Sequence, residues 1–435
     1  MFARYLLVLA LLGPCAAFAA DDARSQPLNF VVIMADDLGA GELGCYGNTE
    51  HRTPRLDALA KSGIRFRTCW ATPLCSPTRV EILTGRYGFR TGWYNFLGRV
   101  TTPLDHLNPD EPTFADVLKA KGYATALAGK WQLGTITKQP KMIFDSGFDT
   151  YCTWAWIELP KDAKFAGSPR QRYWHPAVIT DGKHQPTSPE QYGPNVYCNW
   201  LIEFMRKNRD RPFLAYYPMC LTHKPWDPTP SLTSPGKKTE KGLKPNVEYM
   251  DHLVGRIADA LDELGIRDRT VIFFTGDNGT AGRGKGQTTE LGVRVPMIVN
   301  CLKRIKPGVS EELVDLSDIL PTLAELAHAD LPAGVTIDGH SFAPLLLGGK
   351  WQPREWIFSY LAYDRILRDK RWLLEGDGRF YDCGTSRDGT RYKDVTDSTE
   401  PDAAAARKRF EAILSELPGP ERPAGQPKAR NREKR

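Results

Sequence analysis

The chain has 435 residues, enough for about three domains of ordinary size or for one large α/β domain with a smaller companion. Hydrophobic residues make up 41% of the chain and charged residues 25%, which is the balance of an ordinary globular protein. This balance excludes a disordered chain, a collagen and a multi-span membrane protein. The formal net charge is +6, and the nine cysteines are too sparse for a disulfide scaffold.

The first segment, 1–20, has the pattern of a secretory signal. Arg4 precedes an apolar run over 5–12, and the Ala-Phe-Ala of 17–19 is typical of a cleavage site. A short membrane anchor is the alternative, but the run is well short of the roughly 20 residues that a span needs. We therefore expect an exported protein, periplasmic or secreted, with no transmembrane span.

In the body of the chain, apolar runs rich in β-forming residues recur, and polar residues follow each of them. These runs cover 29–34, 123–128, 212–217 and 270–275. Apolar runs without alternation are typical of strands that are buried on both faces of a parallel sheet. Helical patterns lie between them, at 111–120 and 247–264. The sequence thus predicts an α/β domain over 21–345, with a mostly parallel, mixed central sheet flanked by helices.

The pattern changes after about residue 345. Short strand-like pieces with turns are followed by a helical segment over 403–417, which predicts a small antiparallel-sheet subdomain with a helix over 346–417. The last segment, 418–435, has six basic and two acidic residues and few apolar ones, so we predict a disordered basic tail. Such a tail can bind nucleic acid, but export argues against a nucleic-acid partner.

Oxygen-bearing side chains follow two of the predicted strands. Asp36 and Asp37 come after the first, and Asp277 and Asn278 come after the run at 270–275. Ligands of open α/β sheets bind beyond the carboxyl ends of the strands. Either pair alone is more simply a solvated turn. Together they favour a site for a hard cation such as Ca²⁺, which prefers oxygen ligands.

The most specific element is the run Cys-Ser-Pro-Thr-Arg at 75–79, followed by Leu-Thr-Gly-Arg at 83–86. Taken alone, Cys75 would be a small buried residue or a disulfide partner. Further motifs accompany it in order: Ala-Asp-Asp-Leu-Gly at 35–39, Gly-Lys-Trp at 129–131, Gly-Asp-Asn-Gly at 276–279 and Gly-Lys-Gly at 284–286. With these motifs the chain resembles the formylglycine-dependent (type I) sulfatases of the alkaline-phosphatase superfamily, over nearly its whole mature length.

The resemblance implies an enzyme that hydrolyses sulfate esters of a carbohydrate or an aryl alcohol. Its maturation enzyme would oxidise Cys75 to formylglycine (3-oxoalanine), whose hydrated form is the nucleophile. One Ca²⁺ ion would be held by Asp36, Asp37, Asp277, Asn278 and the modified Cys75. The remaining roles fall to Arg79, which holds the formylglycine, to Lys130 and Lys285, which hold the sulfate, and to His223, near the leaving oxygen.

One position departs from the family pattern. The family motif reads Gly-Lys-Trp-His, and this chain has Gln132 where the histidine stands. A glutamine forms hydrogen bonds but does not titrate near neutral pH, so it is a poor proton acceptor. Our hypothesis is that Gln132 retains the positioning role, while breakdown of the intermediate relies on another base or is slowed.

Two other functions stay open on the sequence. The same site could hydrolyse phosphomonoesters, phosphodiesters or phosphonates, or the chain could be a catalytically weak binder of sulfated glycans, which only Gln132 supports. Aromatic candidates for a sugar site are Trp154, Trp156, Tyr173, Trp174 and His175, although packing is the simpler interpretation of any single ring. Lys183, His184, Lys224 and 237–238 could meet further sulfates, although solvated charge is the simpler interpretation. The natural substrate and the oligomeric state are left open.

Overall fold

The computed structural model of the chain describes residues 26–156, 171–387 and 389–425. The predicted signal peptide at 1–20 and the end of the predicted tail lie outside these ranges. Within them the chain forms a ten-stranded sheet and a separate five-stranded sheet. The predicted α/β class, with a mixed central sheet and a smaller antiparallel sheet near the C-terminus, is confirmed.

The large sheet is mixed, with a parallel centre. Its strands are β1 (Asn29–Ala35), β2 (Ile64–Trp70), β3 (Ala124–Gly129), β4 (Thr150–Trp154), β5 (Val178–Thr180), β6 (Lys183–Gln185), β7 (Phe213–Pro218), β8 (Thr270–Gly276), β9 (Arg294–Asn300) and β10 (Gly308–Asp315). Their order is β10-β2-β9-β8-β1-β7-β3-β4-β5-β6. The run from β8 to β4 is parallel, whereas β9 is antiparallel to both of its neighbours.

The four apolar runs of the sequence are four adjacent strands. They are β8, β1, β7 and β3, and every residue of each is buried. In the central register, Val31 lies opposite Ala215 on one side and Ile272 on the other. Because the four strands are parallel, their carboxyl ends meet at one edge of the sheet. The polar residues that follow them are thereby brought together.

Helices cover both faces of this sheet. They are α1 (Pro54–Lys61), α2 (Cys75–Thr84), α3 (Gly88–Thr91), α4 (Phe114–Ala120), α5 (Met142–Asp145), α6 (Gly193–Lys207), α7 (Leu243–Glu263), α8 (Glu290–Val293), α9 (Ile319–Leu326), α10 (Ala343–Leu347) and α11 (Pro401–Glu416). Short 3-10 turns lie at Ala40–Glu42, Gly44–Tyr46, Arg267–Arg269 and Leu316–Asp318. Alternate residues of β1 enter two cores: Phe30 and Val32 pack with α4 and α9, and Val31 and Ile33 pack with α6 and α7.

Two helix ends behave as the sequence indicates. Thr113 and Asp116 form a capping box at the start of α4, so the helix begins at Phe114 rather than at residue 111. After α7, Gly265 adopts φ 67°, a left-handed conformation that glycine adopts without steric cost.

The second sheet lies in the C-terminal part of the chain. Its antiparallel strands are β11 (Trp356–Leu361), β12 (Asp364–Asp369), β13 (Trp372–Leu374), β14 (Phe380–Asp382) and β15 (Lys393–Asp394). Helix α11 packs on it through Phe410, whose ring meets Phe380 edge-on at 5.6 Å. Strand β15 was not predicted because a strand of two residues has no detectable pattern. Arg422, in the segment predicted as a tail, forms an ion pair with Asp364.

A buried arginine joins this sheet to helix α8 of the part of the chain that forms the large sheet. Arg368 of β12 is fully buried, and it donates to Glu290 Oε1 of α8 at 2.8 Å and to the Ser386 carbonyl at 2.9 Å. Arg368→Met is expected to lower the free energy of unfolding by about 3–5 kcal/mol, because it removes the ion-pair partner of the buried Glu290 carboxylate. Urea denaturation measures this. The control Arg371→Met removes an exposed arginine and leaves the midpoint unchanged, and equal midpoints for the two variants would contradict the argument.

Among the described residues, every cysteine is a free thiol. In the same ranges, no helix has both the length and the apolar character that crossing a bilayer requires.

Candidate active site

Two adjacent carboxylates lie at the centre of the carboxyl edge. Asp36 and Asp37 follow β1 and are almost fully buried, and Asp37 adopts φ 60°. The Asp37 backbone N–H donates to Asp277 Oδ1 at 2.9 Å, and Asn278 Nδ2 donates to Asp37 Oδ1 at 2.9 Å. The structure therefore brings together all four oxygen-bearing side chains that the sequence singles out.

Asp36 is surrounded by cations. Lys130 Nζ lies 2.8 Å from both of its carboxylate oxygens, and Arg79 Nη2 lies 3.5 Å from Oδ1. Burial alone would raise the pKa of Asp36, but Lys130, His223, Arg79 and Lys285 together hold it well below its usual range. Asp36 is therefore a permanent carboxylate at the centre of the site.

The charges around Asp277 have a different net effect from those around Asp36. Arg79 Nη2 donates to Asp277 Oδ2 at 2.7 Å, but burial and the neighbouring Asp36 raise the pKa of Asp277 to about 7 against the opposing effect of Arg79 and Lys130. Two buried carboxylates that share a site repel each other, and a further positive charge between them would relieve this repulsion.

Lys285 lies on the solvent side of the adjacent carboxylates Asp36 and Asp37. Its Nζ lies 2.6 Å from Asp37 Oδ1 and 2.8 Å from Oδ2, and 19% of its side chain is exposed, whereas Lys130 is wholly buried. Burial opposes its charge, but Cys75 and the carboxylates of the site raise the pKa of Lys285. Two lysines thus approach the two carboxylates, one from inside the protein and one from the solvent side.

Cys75 is the first residue of α2 and is 2% exposed. The N-terminus of a helix carries a partial positive charge, which favours an anionic group there. Arg79 lies one turn further on the same helix face, and its Nη1 donates to the Lys130 carbonyl at 3.0 Å. The helix therefore carries both Cys75 and Arg79 into the site.

His223 follows β7 and lies beside Asp37. Its Nε2 is 3.7 Å from Asp37 Oδ2, and its Nδ1 lies against the Lys224 carbonyl. Burial lowers the pKa of His223 to about 4, with Asp36 raising it and Lys130 lowering it further. The imidazole is therefore neutral near pH 7 in this setting, with a nitrogen directed at the carboxylate.

Gln132 lies two residues beyond Lys130 and is 8% exposed. It adopts φ 59°, and no described group hydrogen-bonds to its Oε1. The chain reaches it through Gly129, at φ 124°, where a Cβ would stand 2.1 Å from the Pro218 carbonyl oxygen, so only glycine fits. Gln132 is thus a buried amide with an unused acceptor.

The residues present fit a hard cation. Ligand atoms of Asp36, Asp37 and His223 lie within 4.8 Å of one another. Asn278 Oδ1 is buried and accepts no hydrogen bond within the described part of the chain, which is the state of a ligand atom that a cation would satisfy. The sequence analysis expects His223 near the leaving oxygen and does not include it among the metal ligands.

A further arginine at the site was also missed. Arg172 Nη1 lies 3.7 Å from Asp36 Oδ2, and the guanidinium stacks over the ring of Trp154 at 4.2 Å. Arg172 belongs to an irregular segment and to no recognisable motif. Its only signal in the sequence is an arginine next to the aromatic pair at 173–174.

The aromatic candidates divide into buried and partly exposed rings. Trp154 and Tyr173 are 3% and 1% exposed, and the Tyr173 hydroxyl donates to the Cys220 carbonyl at 3.0 Å, so both rings serve packing. Trp174 is half-buried and carries Lys238 Nζ 3.6 Å above its ring. Its ring is therefore less enclosed than those of Trp154 and Tyr173.

The other candidates lie in less central places. Trp156 packs edge-on against Phe96 at 5.9 Å, and His175 Nε2 contacts the Thr187 carbonyl at 3.0 Å. Lys183 and His184 lie on β6, the outermost strand on its side of the large sheet, and are not brought to the central strands.

Lysines and arginines grouped around buried carboxylates at the carboxyl edge of an α/β sheet form a site that suits a cation and an anionic substrate group. A family model described as Sulfatase matches residues 28–329. Human arylsulfatase A is 35% identical over 384 residues, covering 81% of this chain and 74% of its own. Mouse steryl-sulfatase is 32% identical over 462 residues, covering 84% of this chain and 73% of its own.

A solved structure shares the fold. A protein in complex with its substrate D-glucosamine-2-N,6-O-disulfate superposes with a TM-score of 0.72 at 20% identity, over 90% of this chain and 97% of that one. The chain belongs to the sulfatase family, as a type I member of the alkaline-phosphatase superfamily. It is accordingly a sulfuric ester hydrolase.

Proposed function

We propose that this sulfatase is an exported, calcium-dependent enzyme that uses formylglycine formed from Cys75 to hydrolyse sulfate esters of carbohydrates or aryl alcohols. The observation that carries the proposal is one constellation: Asp36 and Asp37 are each paired with a lysine at the edge where four parallel strands end. The buried N-terminus of α2, with Cys75, completes it.

The metal and the modified residue have separate tasks. Asp36, Asp37, Asp277 and Asn278 would hold the ion, with residue 75 as a further ligand. Ca²⁺, when bound, would supply positive charge to the substrate, and a hydrated aldehyde at position 75 would supply the nucleophilic hydroxyl. Cys75 itself, as a thiol, is not the expected nucleophile.

Cationic side chains of the protein orient the nucleophile, neutralise the sulfate and move the proton. Arg79 is held by Asp277, and from the same helix it would orient the side chain of residue 75. Lys130 and Lys285 bring two ammonium groups to the carboxylate pair, where they would neutralise sulfate oxygens as charge shifts in the transition state. Lys285, whose charge the site favours, is placed to give a proton to the leaving ester oxygen, and so is His223 once it has taken up a proton.

A carbohydrate is the favoured alcohol. Lys224 Nζ lies 4.5 Å above the ring of Trp226, which itself donates to the Thr222 carbonyl at 3.0 Å, just before His223. Lys238 over Trp174 forms a second such pair. An aromatic face with a cation beside it suits a sugar that carries anionic groups. The glucosamine disulfate bound to the structural neighbour is a substrate of this kind.

The proposal is tested with matched esters. The protein is produced together with a formylglycine-generating enzyme and loaded with Ca²⁺, and kcat/KM is measured for an aryl sulfate, the corresponding aryl phosphate and a glucosamine sulfate. We expect the sulfate to be preferred over the phosphate by about 100-fold or more, because the two esters differ in charge at the reacting centre. A preference for phosphate would support the phosphoester hydrolase instead, and binding of sulfated glycans without turnover would support the weak binder.

Gln132 gives a separate prediction. Gln132→His is expected to raise turnover by about tenfold or more above pH 6.5, because a neutral imidazole accepts the proton that glutamine cannot. Below that pH the gain disappears as the imidazole is protonated. The pH profile of kcat measures this, with Gln139→His as the control outside the site. A variant with neither faster turnover nor a changed pH profile of kcat would contradict the hypothesis that Gln132 limits proton transfer.

A further inference from the structure

We propose that Arg172 is a further sulfate-binding residue, whose guanidinium contacts the oxygens of the sulfate group that reacts. The inference rests on the proposed function, because it names an additional donor for the same substrate group. Arg172 is not among the residues that the family motifs of this chain identify.

The geometry places Arg172 at the carboxylate pair. Its Nη1 lies 3.7 Å from Asp36 Oδ2, on the carboxylate that Lys130 Nζ contacts at 2.8 Å. A sulfate bound to an ion that Asp36 would hold therefore comes within reach of the guanidinium. At 3.7 Å, Arg172 is too distant for a hydrogen bond to Asp36, so this carboxylate does not satisfy its donors.

Two nitrogen donors of the Arg172 guanidinium are available to bind an anion. Its side chain is 12% exposed, and neither Nε nor Nη1 has a hydrogen-bond partner among the described residues. Leaving buried charged donors unpaired is costly, and a planar guanidinium matches two oxygens of a sulfate. The stack on Trp154, at 4.2 Å, fixes the plane of the group.

The surrounding segment supports the position. The next residue, Tyr173, directs its hydroxyl to the carbonyl oxygens of Cys220 and His223, which ties the segment to the loop after β7. The chain has the uncharged Gln132 where the family motif has a histidine. Arg172 thus adds a permanent positive charge to a site in which the histidine of the family motif is replaced by an uncharged glutamine.

The test is direct binding of inorganic sulfate by calorimetry to the Ca²⁺-loaded, full-length protein. Arg172→Gln is expected to weaken sulfate binding by about tenfold or more, since a hydrogen-bonded charge pair is lost, and Arg172→Lys by less. KM for an aryl sulfate should rise in parallel. The matched control is Arg371→Gln, which removes an arginine stacked at 4.4 Å on Trp372 in the C-terminal sheet and leaves sulfate binding unchanged.

The opposing result is equally clear. If Arg172→Gln binds sulfate as tightly as the unaltered protein while its Tm falls, Arg172 only balances the charge of Asp36 and the inference is wrong. Should Arg172→Gln fail to fold, Arg172→Lys decides, and unchanged sulfate affinity in that variant overturns the inference. Absence of sulfate binding by the unaltered protein also overturns it. Because calorimetry needs no turnover, failure of the unaltered protein to hydrolyse sulfate esters would count against the proposed function alone.

Discussion

Cys75→Ala is expected to reduce kcat/KM for sulfate esters by about 10⁴-fold or more, since the residue that supplies the nucleophile is removed. The fold should persist, because Cys75 is a small residue at the start of a helix and forms no disulfide. Steady-state kinetics on an aryl sulfate measure the loss, and circular dichroism checks the fold.

A matched control separates the nucleophile from ordinary packing. Cys383 is also a buried free thiol, 3% exposed, but it lies next to β14 in the C-terminal sheet. Cys383→Ala should leave kcat/KM within about twofold of the unaltered protein, because a substitution far from the site does not touch the transition state. Equal activity of Cys75→Ala and Cys383→Ala would remove Cys75 from the mechanism.

Asp36→Asn is expected to abolish calcium binding at micromolar concentrations and to reduce kcat/KM by about 10³-fold. The carboxylate lies at the centre of the site, within 2.8 Å of Lys130, and its loss removes both a ligand charge and the counter-charge of the buried cations. Calorimetric titration with Ca²⁺ measures the binding. In the unaltered protein, Ca²⁺ should also raise Tm, because a ligand that binds only the folded state stabilises it.

The control for this variant is Asp259→Asn. Asp259 of α7 forms an exposed ion pair with Arg55 of α1, and its neutralisation changes the net charge of the protein by the same amount. It should leave calcium affinity and kcat/KM unchanged. If Asp36→Asn retains the calcium affinity of the unaltered protein, the metal site lies elsewhere.

Much of the fold follows from local patterns in the sequence. The apolar runs that became β1, β3, β7 and β8 are too continuous for an exposed sheet, and the polar residues after them mark its functional edge. The capping pair of α4 is equally local. The order of the strands is not local, because β1 and β8 pair across most of the chain, so only the structure shows that the four runs are neighbours.

The residues of the site also divide into those that local motifs identify and those whose positions depend on the tertiary fold. Motifs identify Asp36, Cys75 and Lys130 because the residue types and their spacing are distinctive. They do not identify Arg172, whose position depends on how an irregular segment returns to β7. His223 is among the residues that the resemblance implies, but its approach to Asp37 depends on the packing of two loops that the sequence separates widely. The antiparallel direction of β9 was also unpredicted, since its apolar pattern resembles that of the parallel strands β1 and β8.

The central claim is that the active enzyme carries formylglycine at position 75. A tryptic mass spectrum of the peptide that contains Cys75, taken from protein produced with a formylglycine-generating enzyme, tests it most directly. We predict a peptide with the mass of 3-oxoalanine that resists thiol alkylation, in a fraction that rises and falls with the specific activity of the preparation. Full sulfatase activity in protein whose Cys75 is entirely an unmodified thiol would contradict the account.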